Sequence, residues 1–230
     1  MSRGLRIPPN RRDKMEIRSY GDLSGPFIPP ARGGLASSLI VLLHGWGADG
    51  NDLADLAHPI SVRFPGAAFF VPNGPAPCRM NPAGREWFDI DDRVNGPVAA
   101  APVIDAAIAA ALADLNLPAS AFALAGFSQG GMMSLHCGLR HPEPAAAIIS
   151  FSGALLLHED LADGATYPPV LLVHGTDDQV VPFSLQAASR DVMQSRSIEV
   201  EAVACHRLGH GIDPDGLSAA IAFLAKHLPA

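Results

Sequence analysis

The run Ala121-Phe122-Ala123-Leu124-Ala125-Gly126-Phe127-Ser128-Gln129-Gly130-Gly131-Met132-Met133 decides the fold. Its first five residues are apolar without a break, as a strand buried on both faces requires. Met132, Met133, Leu135, His136 and Leu139 then follow helical spacing until His141-Pro142 stops them. Ser128 therefore falls on a sharp turn from strand to helix. Such a turn strains the serine backbone and crowds the positions two before and two after it, which is where Gly126 and Gly130 stand. By composition alone the pattern Gly-x-Ser-x-Gly would arise about 0.15 times in a chain of this make-up. Its placement between strand and helix is what gives it weight.

Outward from this turn, apolar runs at 39–43, 67–71, 146–151, 170–174 and, less purely, 198–204 read as further buried strands. Leu53, Leu56, Ala57 and Ile60 mark a helix between two of them. Val103, Ile104, Ala107, Ile108, Ala111, Leu112 and Leu115 mark another, closed by Pro118, and 183–193 and 217–228 supply two more. Parallel strands need crossover connections, so strands alternating with helices imply an α/β class with a mostly parallel central sheet and helices on both faces. The 230 residues suffice for one such domain, expected at 15–230, with no large cap domain. Residues 1–14, with Arg3, Arg6, Arg11, Arg12 and Lys14 among Pro8 and Pro9, read as a disordered basic tail, and Met15 is a candidate natural start. Residues 72–97 form a long connection rich in proline and glycine, with Trp87 and Phe88 at its middle. Long loops in compact domains often carry function.

The chain is 48% hydrophobic and 17% charged, which supports a buried core, and no window reads as a membrane span. A formal net charge of −7 gives no attraction to phosphate backbones, so nucleic acid is not expected as a partner. No apolar export signal follows the early arginines. Cys78, Cys137 and Cys205 are odd in number and widely spaced, which fits a reducing, cytoplasmic setting better than a disulfide framework. A homodimer is left open.

A serine hydroxyl is a weak nucleophile at neutral pH. It needs a histidine base, an acid to orient that base, and donors for the oxyanion. The Gln129 amide, at the start of the helix after Ser128, is one natural donor. Leu39-Ile40-Val41-Leu42-Leu43 runs into His44-Gly45-Trp46-Gly47-Ala48-Asp49-Gly50, a turn able to present the Trp46 amide as the second. This turn lacks both phosphate-loop patterns, GxGxxG and GxxxxGK[ST], and His44, which precedes the serine, reads as structural. The next strand ends in His174-Gly175-Thr176-Asp177-Asp178, and spacing alone does not choose between the two carboxylates. Downstream, Cys205-His206-Arg207-Leu208-Gly209-His210-Gly211 places His210 between glycines as the base. His206 and His210 at i, i+4 are also a metal-pair spacing, but neither HExxH nor a further ligand cluster accompanies them, so no metal and no cofactor is expected. The order serine, aspartate, histidine is that of the α/β-hydrolases.

With Leu43-His44-Gly45-Trp46-Gly47-Ala48-Asp49-Gly50-Asn51-Asp52-Leu53, Trp87-Phe88-Asp89, Gly126-Phe127-Ser128-Gln129-Gly130-Gly131, His174-Gly175-Thr176-Asp177-Asp178-Gln179-Val180-Val181-Pro182 and Gly209-His210-Gly211, the chain resembles the carboxylesterase/phospholipase family of α/β-hydrolases, which includes acyl-protein thioesterases. The resemblance runs from about Leu39 to the C-terminus. It selects Asp178 over Asp177 as the acid and implies oxyanion amides at Trp46 and Gln129. Trp46 stands where a leucine is frequent, and Gly211 follows Gly209-His210 where many relatives have a glutamate. The implied chemistry is acyl transfer through a covalent intermediate on Ser128.

Met80, Trp87, Phe88 and the stretch from Leu155 through Leu156 to Leu157 are candidates for the wall of an acyl groove, or for ordinary packing. The expectation is a carboxylesterase for short- to medium-chain esters, with a small-molecule ester or thioester as substrate. A thioesterase or lysophospholipase would use the same three side chains. A hydrolase-fold binding protein without turnover would have lost one of them, and none is lost.

Overall fold

Leu39, Val41 and Leu43 pack on one side of their strand, whereas Ile40 and Leu42 pack on the other. Side chains alternate faces along a strand, so the run is apolar throughout because both faces are covered. The computed structural model describes residues 15–162 and 164–229, and the tail expected at 1–14 lies outside the described residues.

In chain order the elements are β1 (Glu16–Tyr20), β2 (Leu23–Ile28), β3 (Ser38–Leu43), α1 (Gly50–Ala54), α2 (Ala57–Arg63), β4 (Ala67–Phe70), β5 (Ala76–Pro77) and β6 (Arg85–Glu86). There follow α3 (Asn95–Leu115), β7 (Phe122–Phe127), α4 (Gln129–Gly138), β8 (Ala147–Phe151), β9 (Val170–Gly175), α5 (Ser184–Ser195), β10 (Val200–Cys205) and α6 (Pro214–His227). The main sheet has the order β1-β2-β4-β3-β7-β8-β9-β10. Strands from β4 to β10 run parallel, and β1 and β2 join antiparallel at one edge. Helices α3, α4 and α5 cover one face through Ile104, Ile108, Met132, Leu135 and Met193, while α1, α2 and α6 cover the other through Leu53, Ile60, Phe223 and Leu224. This is a single-domain α/β-hydrolase architecture without a large cap.

Three local readings change. The hairpin β1-β2 was not expected, because β1 is an exposed edge strand carrying Glu16 and Arg18 and β2 contains Gly25-Pro26. Its signal is the two-residue turn Gly21-Asp22 between the paired Tyr20 and Leu23, with Gly21 at φ 55°. The helix at Leu53 to Ile60 is two helices, α1 and α2. Helix α3 begins at Asn95, eight residues before its first periodic apolar residue, and runs through Pro102.

That longer helix also corrects the membrane expectation, because Asn95–Leu115 is long and apolar enough to cross a bilayer by length and composition. Ala100, Ile104, Ala107, Ile108, Ala111 and Leu112 form the face that packs in the core, which is about a third of the apolar window.

Two buried histidines make stability depend on pH. Burial, and then the nearby Arg140 charge, push His136 on α4 down to about 4, and burial likewise lowers His44. The unfolded chain, with histidines near the ordinary value of about 6.5, binds more protons than the folded chain as pH falls. Their contribution is therefore complete above about pH 6.5 and is lost as pH falls below it, for His136 down to about 4. Denaturant unfolding at pH 7 and pH 4.5 should show a loss of about 2–3 kcal/mol through His136 alone. His136→Leu should remove that part of the difference; an unchanged difference in this variant would contradict the assignment.

Candidate active site

Strand β7 delivers Ser128 to the carboxyl edge of the sheet, where α/β folds place their sites. The Ser128 N–H donates to the Phe151 carbonyl at 2.8 Å, which pins the turn to β8. Its backbone sits at φ 54° and ψ −116°, a conformation that costs roughly 1–3 kcal/mol for a residue with a side chain. The flanking glycines are sterically required. A Cβ at Gly126 would lie 2.1 Å from the Gly130 carbonyl oxygen, and one at Gly130 would lie 1.9 Å from that of Leu43.

The loop after β3 lies beside the serine, since a Cβ at Gly45 would come within 3.5 Å of the Ser128 Cβ. Trp46 follows in this loop and Gln129 opens α4. Neither backbone N–H meets a hydrogen-bond acceptor among the described residues. Gln129 owes this to its place in the first turn of a helix, where amides have no intrahelical partner.

The His210 ring packs on Phe127, next to the serine, at 4.8 Å between centroids. Its Nδ1–H donates to Asp178 Oδ2 at 2.7 Å, which leaves Nε2 as the free basic nitrogen. The Asp178 side chain is fully buried, and its Oδ1 accepts the amides of Val180 and Val181, each at 2.9 Å. Burial alone would raise this carboxyl, but the hydrogen bonds from His210, Val181 and Val180 outweigh it and hold it below the usual carboxylate value. Asp177 is exposed and accepts from Thr176 Oγ1 instead. The adjacent aspartates, which spacing alone could not separate, thus occupy opposite environments. His206 is exposed.

Ser128 and His210 share a cavity of about 400 Å³ with Gly45 and Trp46. Met132, Ala154, Leu155, Leu156, Val181 and Leu185 form much of its apolar wall, and Asp52 and Arg93 contribute charged side chains. Of the candidates for an acyl groove, Leu155 and Leu156 line this cavity. Met80, Trp87 and Phe88 do not. Met80 is 72% exposed and does not line the cavity, and Trp87 and Phe88 are buried behind it. Trp87 and Phe88 are buried in the core, whereas Ile90 and Arg93 of the same stretch reach the cavity. Ile90, Arg93, Val180 and Leu185 line the cavity without having been anticipated as site residues: Val180 stands in the 174–182 motif and Leu185 in the helix expected at 183–193, but neither signal says which side chains face the cavity.

Trp87 and Phe88 support the site instead. The Trp87 backbone N–H donates to Gln129 Oε1 at 3.0 Å, and Gln129 Nε2 donates to the Phe88 carbonyl at 2.7 Å. The Trp87 indole donates to the His44 carbonyl at 2.8 Å. His44 is buried and structural in its contacts: Nδ1–H donates to the Gly45 carbonyl and Nε2 accepts the Gly74 N–H. Among the described residues, one group has three potential metal ligands close together, Glu199, Glu201 and His227. It shares no residue with the cavity, and Glu201 already accepts from Lys226 at 2.7 Å.

The sequence profile of a family described as phospholipase/carboxylesterase matches residues 31–228. The crystal structure of esterase PE8 superposes with a TM-score of 0.85 at 43% identity, covering 90% of this chain and 99% of that one. Esterase YpfH of Escherichia coli is 29% identical over 199 residues, 84% of each chain. Acyl-protein thioesterase 1 of Schizosaccharomyces pombe is 32% identical over 167 residues, 66% of this chain and 74% of that one.

Proposed function

Because the chain belongs to the phospholipase/carboxylesterase family and is thereby a carboxylic ester hydrolase, we propose that it is a serine esterase in which Ser128, His210 and Asp178 act together on short- to medium-chain esters. The observation that carries this reading is the 2.7 Å bond from His210 to a fully buried Asp178, with His210 lining the same cavity as a strained Ser128.

In the proposed cycle His210 Nε2 takes the Ser128 hydroxyl proton as Oγ attacks the ester carbonyl. The N–H groups of Trp46 and Gln129 receive the oxyanion, which is favoured because neither must first give up another partner. His210 then passes its proton to the leaving alcohol or thiol, and an acyl-enzyme remains on Ser128. Water repeats the sequence and frees the acid. Asp178 holds the imidazole with Nδ1 protonated and stabilises the imidazolium without taking the proton itself.

The apolar wall around Leu155, Leu156 and Leu185 suits a hydrocarbon acyl chain, and a cavity of this size suits a small ligand. The similarity to an acyl-protein thioesterase favours a second reading, thioester hydrolysis at the same serine. A p-nitrophenyl ester series from C2 to C16, run beside an acyl-thioester and a lysophospholipid, separates them. We expect kcat/KM to peak at short to medium chains and to exceed the values for the other two substrates. A peak at the longest chains, or a faster thioester, would overturn the substrate assignment and leave the mechanism standing. A cytoplasmic setting fits the three cysteines, all free and buried.

A further inference from the structure

Trp46 is tied at its side chain, and the loop that carries it is paired through its neighbours Gly47 and Ala48. Its indole Nε1–H donates to Glu86 Oε2 at 2.7 Å, and Glu86, on the short strand β6, is 8% exposed. The same strand holds the neighbouring backbone: the Gly47 N–H donates to the Arg85 carbonyl at 2.9 Å, and the Arg85 N–H donates to the Ala48 carbonyl at 2.7 Å. Two residues further on, the 87–88 backbone grips the Gln129 side chain through both of its polar ends. One continuous stretch, 85–88, thus braces the loop of one proposed oxyanion donor and the residue that carries the other.

We infer that Glu86 is a positioning residue of this esterase: its buried carboxylate, bonded to the Trp46 indole, fixes the loop whose backbone N–H receives the oxyanion. The inference rests on the proposed reading of Trp46 and extends it to a residue outside the cavity. Backbone pairing at Gly47 and Ala48 sets the position of the loop beyond Trp46, but Trp46 lies on the outer side of that pairing, next to Gly45. The peptide between Gly45 and Trp46 is held at its carbonyl by the His44 Nδ1–H at 2.7 Å and the Ala48 N–H at 3.2 Å, and the large Trp46 side chain adds a further restraint whose far end Glu86 holds. Trp46 is half-buried, and an indole N–H shielded from water without an acceptor is destabilising, so loss of the carboxylate favours rotation of Trp46 towards the cavity it lines. Stabilisation by an oxyanion donor depends on its being aimed where charge develops, so a misaimed amide lowers the rate of the chemical step more than the binding of substrate.

Four variants test this: Glu86→Leu, Glu86→Gln, Trp46→Phe and the double Glu86→Leu/Trp46→Phe, each checked by thermal melting. Steady-state kinetics on p-nitrophenyl butyrate and inhibition by butylboronic acid, which forms a tetrahedral adduct on a serine, are the readouts. Removing an oxyanion donor outright costs about 10²–10³ in kcat, so misaiming one should cost about 10–30-fold in Glu86→Leu, with KM changed less than about threefold. The boronic acid should weaken in the same proportion. Trp46→Phe, which keeps the amide and loses the indole N–H, should match that loss, and the double variant should be no slower than either single one. Glu86→Gln, which retains an acceptor oxygen, should recover most of the rate. If Glu86→Leu does not fold, Trp46→Phe carries the same test. Full kcat in Trp46→Phe or in folded Glu86→Leu, multiplicative losses in the double variant, or a Glu86→Gln as slow as Glu86→Leu would overturn the inference. The control Ser128→Ala separates the two levels: if it alone is inactive, only the role of Glu86 falls, and if it is active the serine mechanism falls as well.

Discussion

Ser128→Ala is expected to lower kcat on p-nitrophenyl butyrate by about 10⁵–10⁶-fold, with the fold retained. The size follows from the division of labour at the site. In the proposed mechanism alanine removes the atom that would form the acyl-enzyme and leaves His210 no hydroxyl to deprotonate. The free amides of Trp46 and Gln129 remain, so a residual acceleration of about 10³–10⁴ over water is expected to survive through oxyanion binding and substrate positioning. Stability should change little, because alanine keeps the Cβ and with it the strain of φ 54°. Stopped-flow kinetics on the wild type should show a burst of p-nitrophenol if deacylation is slow, and Ser128→Ala should show none. Hydrolysis at a tenth of the wild-type rate or more would require another nucleophile.

Asp178→Asn is expected to lower kcat by about 10⁴-fold, and Asp177→Asn by less than about twofold. The neighbours differ in what they touch. Asp178 accepts from His210 Nδ1 and from two backbone amides inside the protein, whereas Asp177 meets Thr176 at the surface. An asparagine at 178 can present its NH₂ to the imidazole and thereby favour the tautomer protonated on Nε2, which cannot accept the serine proton. The lowered value of Asp178 also fixes a pH dependence. Its carboxyl is held below the ordinary carboxylate value by the hydrogen bonds from His210, Val181 and Val180, so it takes no part in pH effects near neutrality. By linkage, the stabilisation carried by this carboxylate is present above the unfolded value of about 3.9 and is lost only as pH falls through the lower folded value. Equal losses in Asp177→Asn and Asp178→Asn would contradict the assignment of roles.

The layers and the turn at Ser128 were legible because their signals are local. A continuous apolar run with turn residues at its ends can be read as a buried strand without knowing its neighbours, and 39–43 and 121–125 are such runs. The glycines at 126 and 130 report a clash that any strand-to-helix turn of this kind would produce. Asp178 was legible only through the family resemblance, because the difference between it and Asp177 is one of burial, created by the return of the 205–211 loop over the end of β9. The residues 72–97 were legible as unusual but not in their role. Trp87 and Phe88 look like the wall of an apolar groove by residue type, yet they do not line the cavity and their hydrogen bonds run to His44 and Gln129. Glu86 carried no signal, since a carboxylate in a polar loop reads as solvated until its partner is known. The edge hairpin β1-β2 was hidden for a related reason: one of its strands faces solvent, so its alternation is incomplete.

The central claim is that an acyl group is carried on the Ser128 hydroxyl. It is tested most directly by labelling the protein with a fluorophosphonate, digesting it, and locating the adduct by mass spectrometry, with residual esterase activity measured in parallel. One adduct per chain is predicted, on Ser128, with activity lost in proportion to labelling and no adduct in Ser128→Ala. An adduct on a different residue that abolishes activity, or complete labelling of Ser128 with activity intact, would contradict it.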